Sequence, residues 1–404
     1  MRNRHLNAST RNWSSKKIWI PFILLLPILL IVSLYSRAFY FHRNENKLSE
    51  TMDSATSASP TGESSSPTYS VAHLGNSIQY YNDCPRVLEK MLLATALGRV
   101  VDLDDPERKR WVHSESCLRG GATVPSLWEK GNGMATKFSS RPHSILRGDD
   151  GYDIGAPTVA GVLQTQPSDD RYWDFVIIND HTQSPVRSER KKESEAAFET
   201  DYLPAIADGM EASKNGRNSN KTTTVIFVQT MAYKTQVKDS ADLGSFDEFT
   251  EALTQGYDDY VSLANDFSTS RFPNQQPLLK ATVAPLGRAY QVIRQENFDL
   301  WFKTMYANDD FHPSPHGTLL EACILHCVVT SGQKFALFEN GDEFMEDWWK
   351  RARYMQPLTY PNGDPQEPLR LPTRVEALYL NDIAYRVYLE QVEREKGSGN
   401  NSML

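Results

Sequence analysis

The sequence predicts an α/β protein, a mainly parallel sheet sandwiched between helices, preceded by one transmembrane helix. Two observations predict it. Short runs that are apolar on both faces alternate with helical patterns along residues 70–395. Strands with no polar face need cover on both sides, which a parallel sheet between helix layers gives them. Separately, residues 18–35 (IWIPFILLLPILLIVSLY) hold no charge. At ~1.5 Å per residue this run reaches roughly 27 Å, enough for a thin bilayer.

The strands expected are 71–74, 175–178 (within WDFVIIND) and 224–229 (TVIFVQ), with 278–283 weaker. Helices are expected over 85–97, 246–264, 315–330 and 374–393. The last opens with Thr373 and Glu376 at capping-box spacing. In such a sheet, sites form where the strands end at their carboxyl edge.

The N-terminal region reads as an anchor. Residues 1–17 carry Arg2, Arg4, Arg11, Lys16 and Lys17 and no acid, so this tail should stay cytoplasmic. Pro21 and Pro27 are tolerated in a span. A cleaved signal peptide fits less well, because the run exceeds a usual signal core and no small-residue cleavage site comes after it. Residues 36–69 are largely a Ser/Thr-rich stalk, 70–395 the globular domain and 396–404 a flexible tail. The expectation is a type II protein facing the ER or Golgi lumen, the short span favouring a thinner membrane. Asn220 and Asn400 then lie in luminal glycosylation sequons, whereas those at Asn7 and Asn12 should be silent.

Composition narrows the function. The net charge is −8, so removing the five basic charges of the tail leaves −13 on the rest. A domain this acidic lacks the basic face that nucleic acid requires. There is no phosphate-binding loop, no HExxH and no dinucleotide fingerprint, Gly131-x-Gly133 lacking its context. Cys323, His326 and Cys327 lie in the apolar run EACILHCVV and read as a buried helix face, not a metal site. Cys84 and Cys117 are compatible with a disulfide that spacing alone does not establish.

Three segments carry chemistry. In VAHLGNSIQYYNDCPRVLEKML, Gly75 permits a tight turn that exposes Ser77 at a strand end. A serine there is a nucleophile if a base reaches it; otherwise it caps backbone. In NDDFHPSPHG, Asp309 and His312 stand three apart before a helix with Ser314 as N-cap and Pro315 at its first position. The acid can fix the imidazole tautomer and leave the other nitrogen as base. Asp310 and His316 are local rivals. Donors for a developing oxyanion are the backbone at Gly120 and Gly121 and the side chain of Asn179. Each of these has an ordinary alternative as a turn residue.

Taken in order, these segments resemble the SGNH (GDSL-type) hydrolase superfamily, in the subgroup whose first block reads GNS. The similar stretches are HLGNSIQYYNDCPRVLEKM, LRGGATVPSLWEKGNGM, WDFVIINDHTQSP, VIFVQTMAY, APLGRAY and DDFHPSPHGTLLEACILHCVVTSG, spanning about residues 71–332. The resemblance implies a three-layer α/β/α fold with a five-stranded parallel sheet. It implies Ser77 as nucleophile, His312 as base, Asp309 as its orienting acid, and an oxyanion hole from the Ser77 backbone, Gly120 or Gly121, and a polar third-block side chain. The third block reads IINDHTQSP and departs from the family's Gly-x-Asn-Asp, so His181 and Gln183 stand beside Asn179 for that place. The function expected is a membrane-anchored luminal ester hydrolase that needs no cofactor and no metal. Its partner is an ester-bearing small molecule or an acylated glycan. The alternatives are a polysaccharide O-acyltransferase using the same three residues and a catalytically silent binding module.

Overall fold

A computed structural model describes residues 69–98, 111–134, 155–165, 167, 172–214, 222–235, 238–273, 278–336 and 369–397. The apolar run 18–35 and the sequons at Asn220 and Asn400 lie outside them. Among the described residues no helix is long and apolar enough to cross a membrane. The chain separates into two units, Met1–Ser65 and Ser66–Leu404, and all described residues belong to the second.

Five strands form one parallel sheet: β1 (Tyr69–Gly75), β2 (Val112–Leu118), β3 (Phe175–Ile178), β4 (Thr223–Val228) and β5 (Leu279–Ala284), in the order 2-1-3-4-5. The chain leaves β1 to one side for β2 and returns to its other side for β3. The switch point therefore lies at the carboxyl ends of β1 and β3, where doubly wound sheets bind ligands.

Eleven helices are described: α1 (Ser77–Tyr80), α2 (Cys84–Leu97), α3 (Val124–Lys130), α4 (Val159–Gln164), α5 (Ser188–Ala197), α6 (Leu203–Lys214), α7 (Phe246–Arg271), α8 (Leu286–Glu296), α9 (Phe298–Thr304), α10 (Pro315–Val329) and α11 (Arg374–Gly397). Alternation along the strands sorts them into two layers. Val71, Ile177, Ile226 and Ala284 pack with α2, α8, α10 and α11. Ala72, Val176, Phe227 and Val283 pack with α3 to α7. All residues of α10 except Val328 are buried, because α2 and α11 flank it. That is what a helix apolar all round requires.

The structure departs from the sequence expectations at several points, and seven of the eleven described helices were not among those expected. β2 (VHSESCL) is half polar because it is an edge strand, and it shows no apolar run to find. Helix α7 continues past residue 264 to Arg271, its later turns being mostly exposed. Cys84 and Cys117 lie in different cores on opposite faces of the sheet, and both are free thiols.

Between α1 and α2, Asn82 (φ 51°) and Asp83 (φ 58°) are both left-handed, a conformation Asn and Asp tolerate best. Burial raises the Asp83 carboxyl to about 7 despite Arg86 at 3.5 Å. An acid whose folded pKa is raised stabilises the fold fully below its unfolded pKa of about 3.9 and loses that contribution as pH rises. The Asp83→Asn variant should therefore gain stability relative to wild type between about pH 4 and about pH 7. Paired thermal melts across that range check it; parallel curves would rule it out.

Candidate active site

The carboxyl edge of the sheet brings the three segments together. β1 ends at Gly75, paired with Leu118 at the end of β2, and β3 ends one residue before Asn179. The Asn179 N–H donates to Leu74 O (3.1 Å) and the Arg119 N–H to Gly75 O (3.0 Å), so all three loops start from one ledge.

Gly75 was expected to permit a tight turn; its φ is not positive. It is needed for close approach. A Cβ there would lie 1.9 Å from Asn179 Oδ1 and 2.8 Å from Gln79 Nε2. Gly75→Ala should thus cost about 3 kcal/mol or more, at the upper end of overpacking, and should displace Asn179. Chemical denaturation measures it; a loss under about 0.5 kcal/mol would contradict close packing at this position.

Behind Ser77 lies a buried polar network. Asn76 caps α1, its Oδ1 accepting from Ile78 N (3.1 Å) and from Asn179 Nδ2 (2.8 Å), while its Nδ2 donates to Ala122 O (2.9 Å). Asn179 Nδ2 also donates to Asp180 O (3.1 Å), and Asn179 Oδ1 accepts from Asn76 N and Gln79 Nε2. Gln79 Oε1 meets His73 Nδ1 at 3.0 Å. Such a satisfied network fixes side chains in one arrangement. Ser77 stands at the N-terminus of α1 and, contrary to the exposed position expected of it, is buried, 8% of its surface reaching solvent, because the loop it opens is packed into the domain. Among the described residues no hydrogen bond engages its Oγ or its N–H. Gly120 and Gly121 are exposed in the turn after β2, Gly121 at φ 67°, and neither N–H is engaged there.

His312 comes from the loop before α10. Its Nδ1–H donates to Asp309 Oδ2 at 2.6 Å, while Asp309 Oδ1 accepts from the backbone N–H of Phe311 (3.2 Å) and His312 (3.0 Å). A carboxylate only accepts, so the proton is on Nδ1 and Nε2 has a lone pair. Among the described residues Nε2 has no hydrogen-bond partner. Burial alone would raise the Asp309 carboxyl, but the hydrogen bonds it accepts from the His312 side chain and from the backbone of His312 and Phe311 hold it below the usual range.

The imidazole is set against the first loop. Its ring stacks on Tyr81, centroids 3.9 Å apart and planes 4° apart, and Tyr81 is four residues after Ser77. Asn82 Nδ2 donates to Pro313 O and Thr318 Oγ1, both at 3.1 Å. From the β4 side, Lys234 N donates to Asp310 O (2.9 Å) and Lys234 Nζ pairs with Asp310 Oδ1 (2.9 Å). Asp310, itself left-handed at φ 63°, is thus turned away from the imidazole. His316 is buried against α11, its Nε2 3.3 Å from Glu376 Oε2, and burial lowers its pKa to about 4. Asp309 and not Asp310 faces His312, and His316 belongs to the core. Sequence reasoning missed Tyr81, Asn82, Gln79 and Lys234; the YND run before Pro85 was the only visible sign of the clamp.

Among the described residues no group of His, Cys, Asp and Glu could hold a metal ion. His326, read as a buried helix residue, meets Thr95 Oγ1 at 2.8 Å, beside buried Cys323 and Cys327.

No protein-family model and no curated protein matches the chain. Among solved structures, it is similar to a DUF4886 family protein from Bacteroides uniformis, with TM-score 0.46 and 14% identity over 80% of this chain and 95% of that one. It is also similar to a gut microbial diltiazem-metabolizing enzyme, with TM-score 0.27 and 12% identity over 64% of this chain and 46% of that one. The chain therefore spans less than half of that second protein.

Proposed function

We propose that this protein is a serine ester hydrolase of the SGNH type, held by its N-terminal helix with the globular domain in the ER or Golgi lumen. The observation that carries the chemistry is the His312–Asp309 pair, with Nε2 unoccupied and the ring stacked beside the loop of Ser77. His312 Nε2 takes the Ser77 Oγ proton, and the alkoxide attacks the ester carbonyl. The resulting imidazolium returns the proton to the leaving alcohol as the C–O bond breaks. Water, deprotonated by His312, then attacks the acyl carbonyl, and the imidazolium returns that proton to Ser77 Oγ as the acid leaves. The Ser77 and Gly120 or Gly121 N–H groups supply oxyanion donors at the same edge. Acyl groups on glycans or glycoproteins suit a luminal address.

A fluorophosphonate probe and a panel of acyl esters test this on the full chain in detergent. Probe labelling with turnover supports it; a folded protein that neither labels nor turns over is a binding module. Adding an acceptor glycan separates hydrolysis from acyl transfer: product on the sugar in place of free acid would make it a transferase. The topology is tested by endoglycosidase digestion. A mobility shift reduced by Asn220→Gln is expected, and an unglycosylated soluble product would defeat the luminal assignment.

A further inference from the structure

We propose that the alcohol half of the substrate is a sugar, held beside His312 by an aromatic ledge of Phe311, Phe302 and Phe298 with the Lys234 ammonium set into it. The inference rests on the hydrolase reading and deepens it, because it gives that site a place for its leaving group.

The chemistry decides which half of an ester lies here. His312 hands its proton to the departing alcohol, so that alcohol stays within reach of the imidazole. Side chains packed on the imidazole therefore border the alcohol. Two rings pack on it. Tyr81 lies 3.9 Å away, parallel, and is buried. Phe311 lies 4.2 Å away at 44° and is exposed. Of the two, Phe311 is the one with surface to offer a ligand. Its ring is braced by Tyr233 (6.0 Å, 70°), which is itself set edge-on against buried Phe249 (5.5 Å, 78°).

The aromatic surface continues from there. Lys234 follows Tyr233, and its Nζ stands 4.4 Å over the Phe302 ring. Asp310, the residue before Phe311, holds that same Nζ at 2.9 Å, so the ammonium sits between Phe302 and the Phe311 loop. Phe302 in turn stacks on Phe298, four residues earlier in α9 (5.7 Å, 16°). Phe298, Phe302 and Phe311 are 54%, 48% and 37% exposed, and they are three of the five exposed large hydrophobic side chains among the described residues. Exposed rings gathered at one place beside polar groups mark a ligand surface; scattered ones do not.

The mixture of groups selects the ligand. A lipid alcohol laid across the ledge would cover the Lys234 ammonium and strip it of water with nothing to replace the lost hydrogen bonds. A membrane surface is a poorer occupant still, since the chain beyond its basic tail is strongly acidic. A pyranose matches both components. Its C–H groups, slightly positive, rest on the negative faces of the rings, and its hydroxyls replace water on the ammonium.

The test uses the full chain in detergent and the monoacetates of methyl glucoside, mannoside, galactoside and xyloside, with n-hexyl acetate as the apolar alcohol. At least one sugar acetate should exceed n-hexyl acetate in kcat/KM by about tenfold, the size of effect one aromatic stack carries. Phe302→Ala and Phe311→Ala should each lower that ratio by a similar factor. The ratio is read because damage to the base slows both esters alike. Phe302→Trp should keep the ratio, and Phe302→Leu, apolar but without a face, should not. Phe302 is exposed, so these substitutions leave the core intact, and thermal melting checks it. Saturation-transfer NMR on the Ser77→Ala protein reads binding without turnover. The C–H protons of at least one sugar acetate should be saturated, and adding Phe302→Ala should remove the effect. Preference for n-hexyl acetate over all four sugars, or a ratio unmoved by Phe302→Ala, overturns the ledge and leaves the hydrolase reading standing. No turnover of any ester and no fluorophosphonate labelling overturns the hydrolase reading. In that case saturation that Phe302→Ala removes still supports the ledge, and its absence overturns the ledge as well.

Discussion

Ser77→Ala is expected to remove ester turnover almost completely, by about 10⁶-fold as in a comparable serine triad, and to abolish fluorophosphonate labelling. The fold should survive. No hydrogen bond holds the Ser77 hydroxyl among the described residues, and α1 is capped by Asn76. The stability change should stay within about 1 kcal/mol. Single-turnover kinetics with a chromogenic ester, beside a thermal melt, make the measurement. A folded variant with wild-type turnover would remove Ser77 from the mechanism.

The second large effect is expected in the last block, as a comparison of four variants. His312→Ala should cost several orders of magnitude, because nothing else takes the proton. The loop should hold its shape, since Asp309 Oδ1 is bonded by two backbone N–H groups that the substitution leaves in place. Asp309→Asn is more informative. Its amide can keep those two backbone bonds through its oxygen while presenting N–H to His312 Nδ1. Nδ1 must then accept, the proton moves to Nε2, and the base is lost; in a comparable triad this costs about 10⁴-fold. Asp310→Asn should lose little turnover, because that carboxylate serves Lys234. His316→Ala should lower stability by emptying a buried site against α11, yet leave the turnover of the folded fraction nearly intact. Severe loss in Asp310→Asn with a near-normal Asp309→Asn would reverse the choice of acid.

Much of the architecture was legible because the central strands are apolar on both faces. The 175–178 strand is found with the same bounds, and 71–74, 224–229 and 278–283 are found within two residues. The edge strand β2 was not legible, since one row of unpaired neighbours relaxes the demand for apolar side chains. Ser314 and Pro315 announced the start of α10, and Ser314 Oγ does accept from His316 N and Gly317 N. At the site, the Asp309–His312 spacing pointed to a contact made within a single loop. Contacts between loops were not legible. That Tyr81 stacks on His312, or that Asn179 gives its amide to Asn76, depends on tertiary placement that no local pattern encodes. Gly75 was noticed as a turn residue, and the structure adds a second demand on it, since a neighbour's oxygen leaves no room for a Cβ.

The clamp between Asn82 and Pro313 joins residues 231 apart in sequence. This sets an order of events during synthesis. At a ribosomal pace of about 5–20 residues per second, Asn82 waits roughly 10–50 s for its partner. Closing so long a loop is also among the slower steps of folding. If Ser77 and His312 act as proposed, the nascent chain carries its serine long before its base, and ester turnover should appear only once the segment after residue 313 docks. Chains released early, short of residue 313, should be inert toward esters however well their first strands have paired.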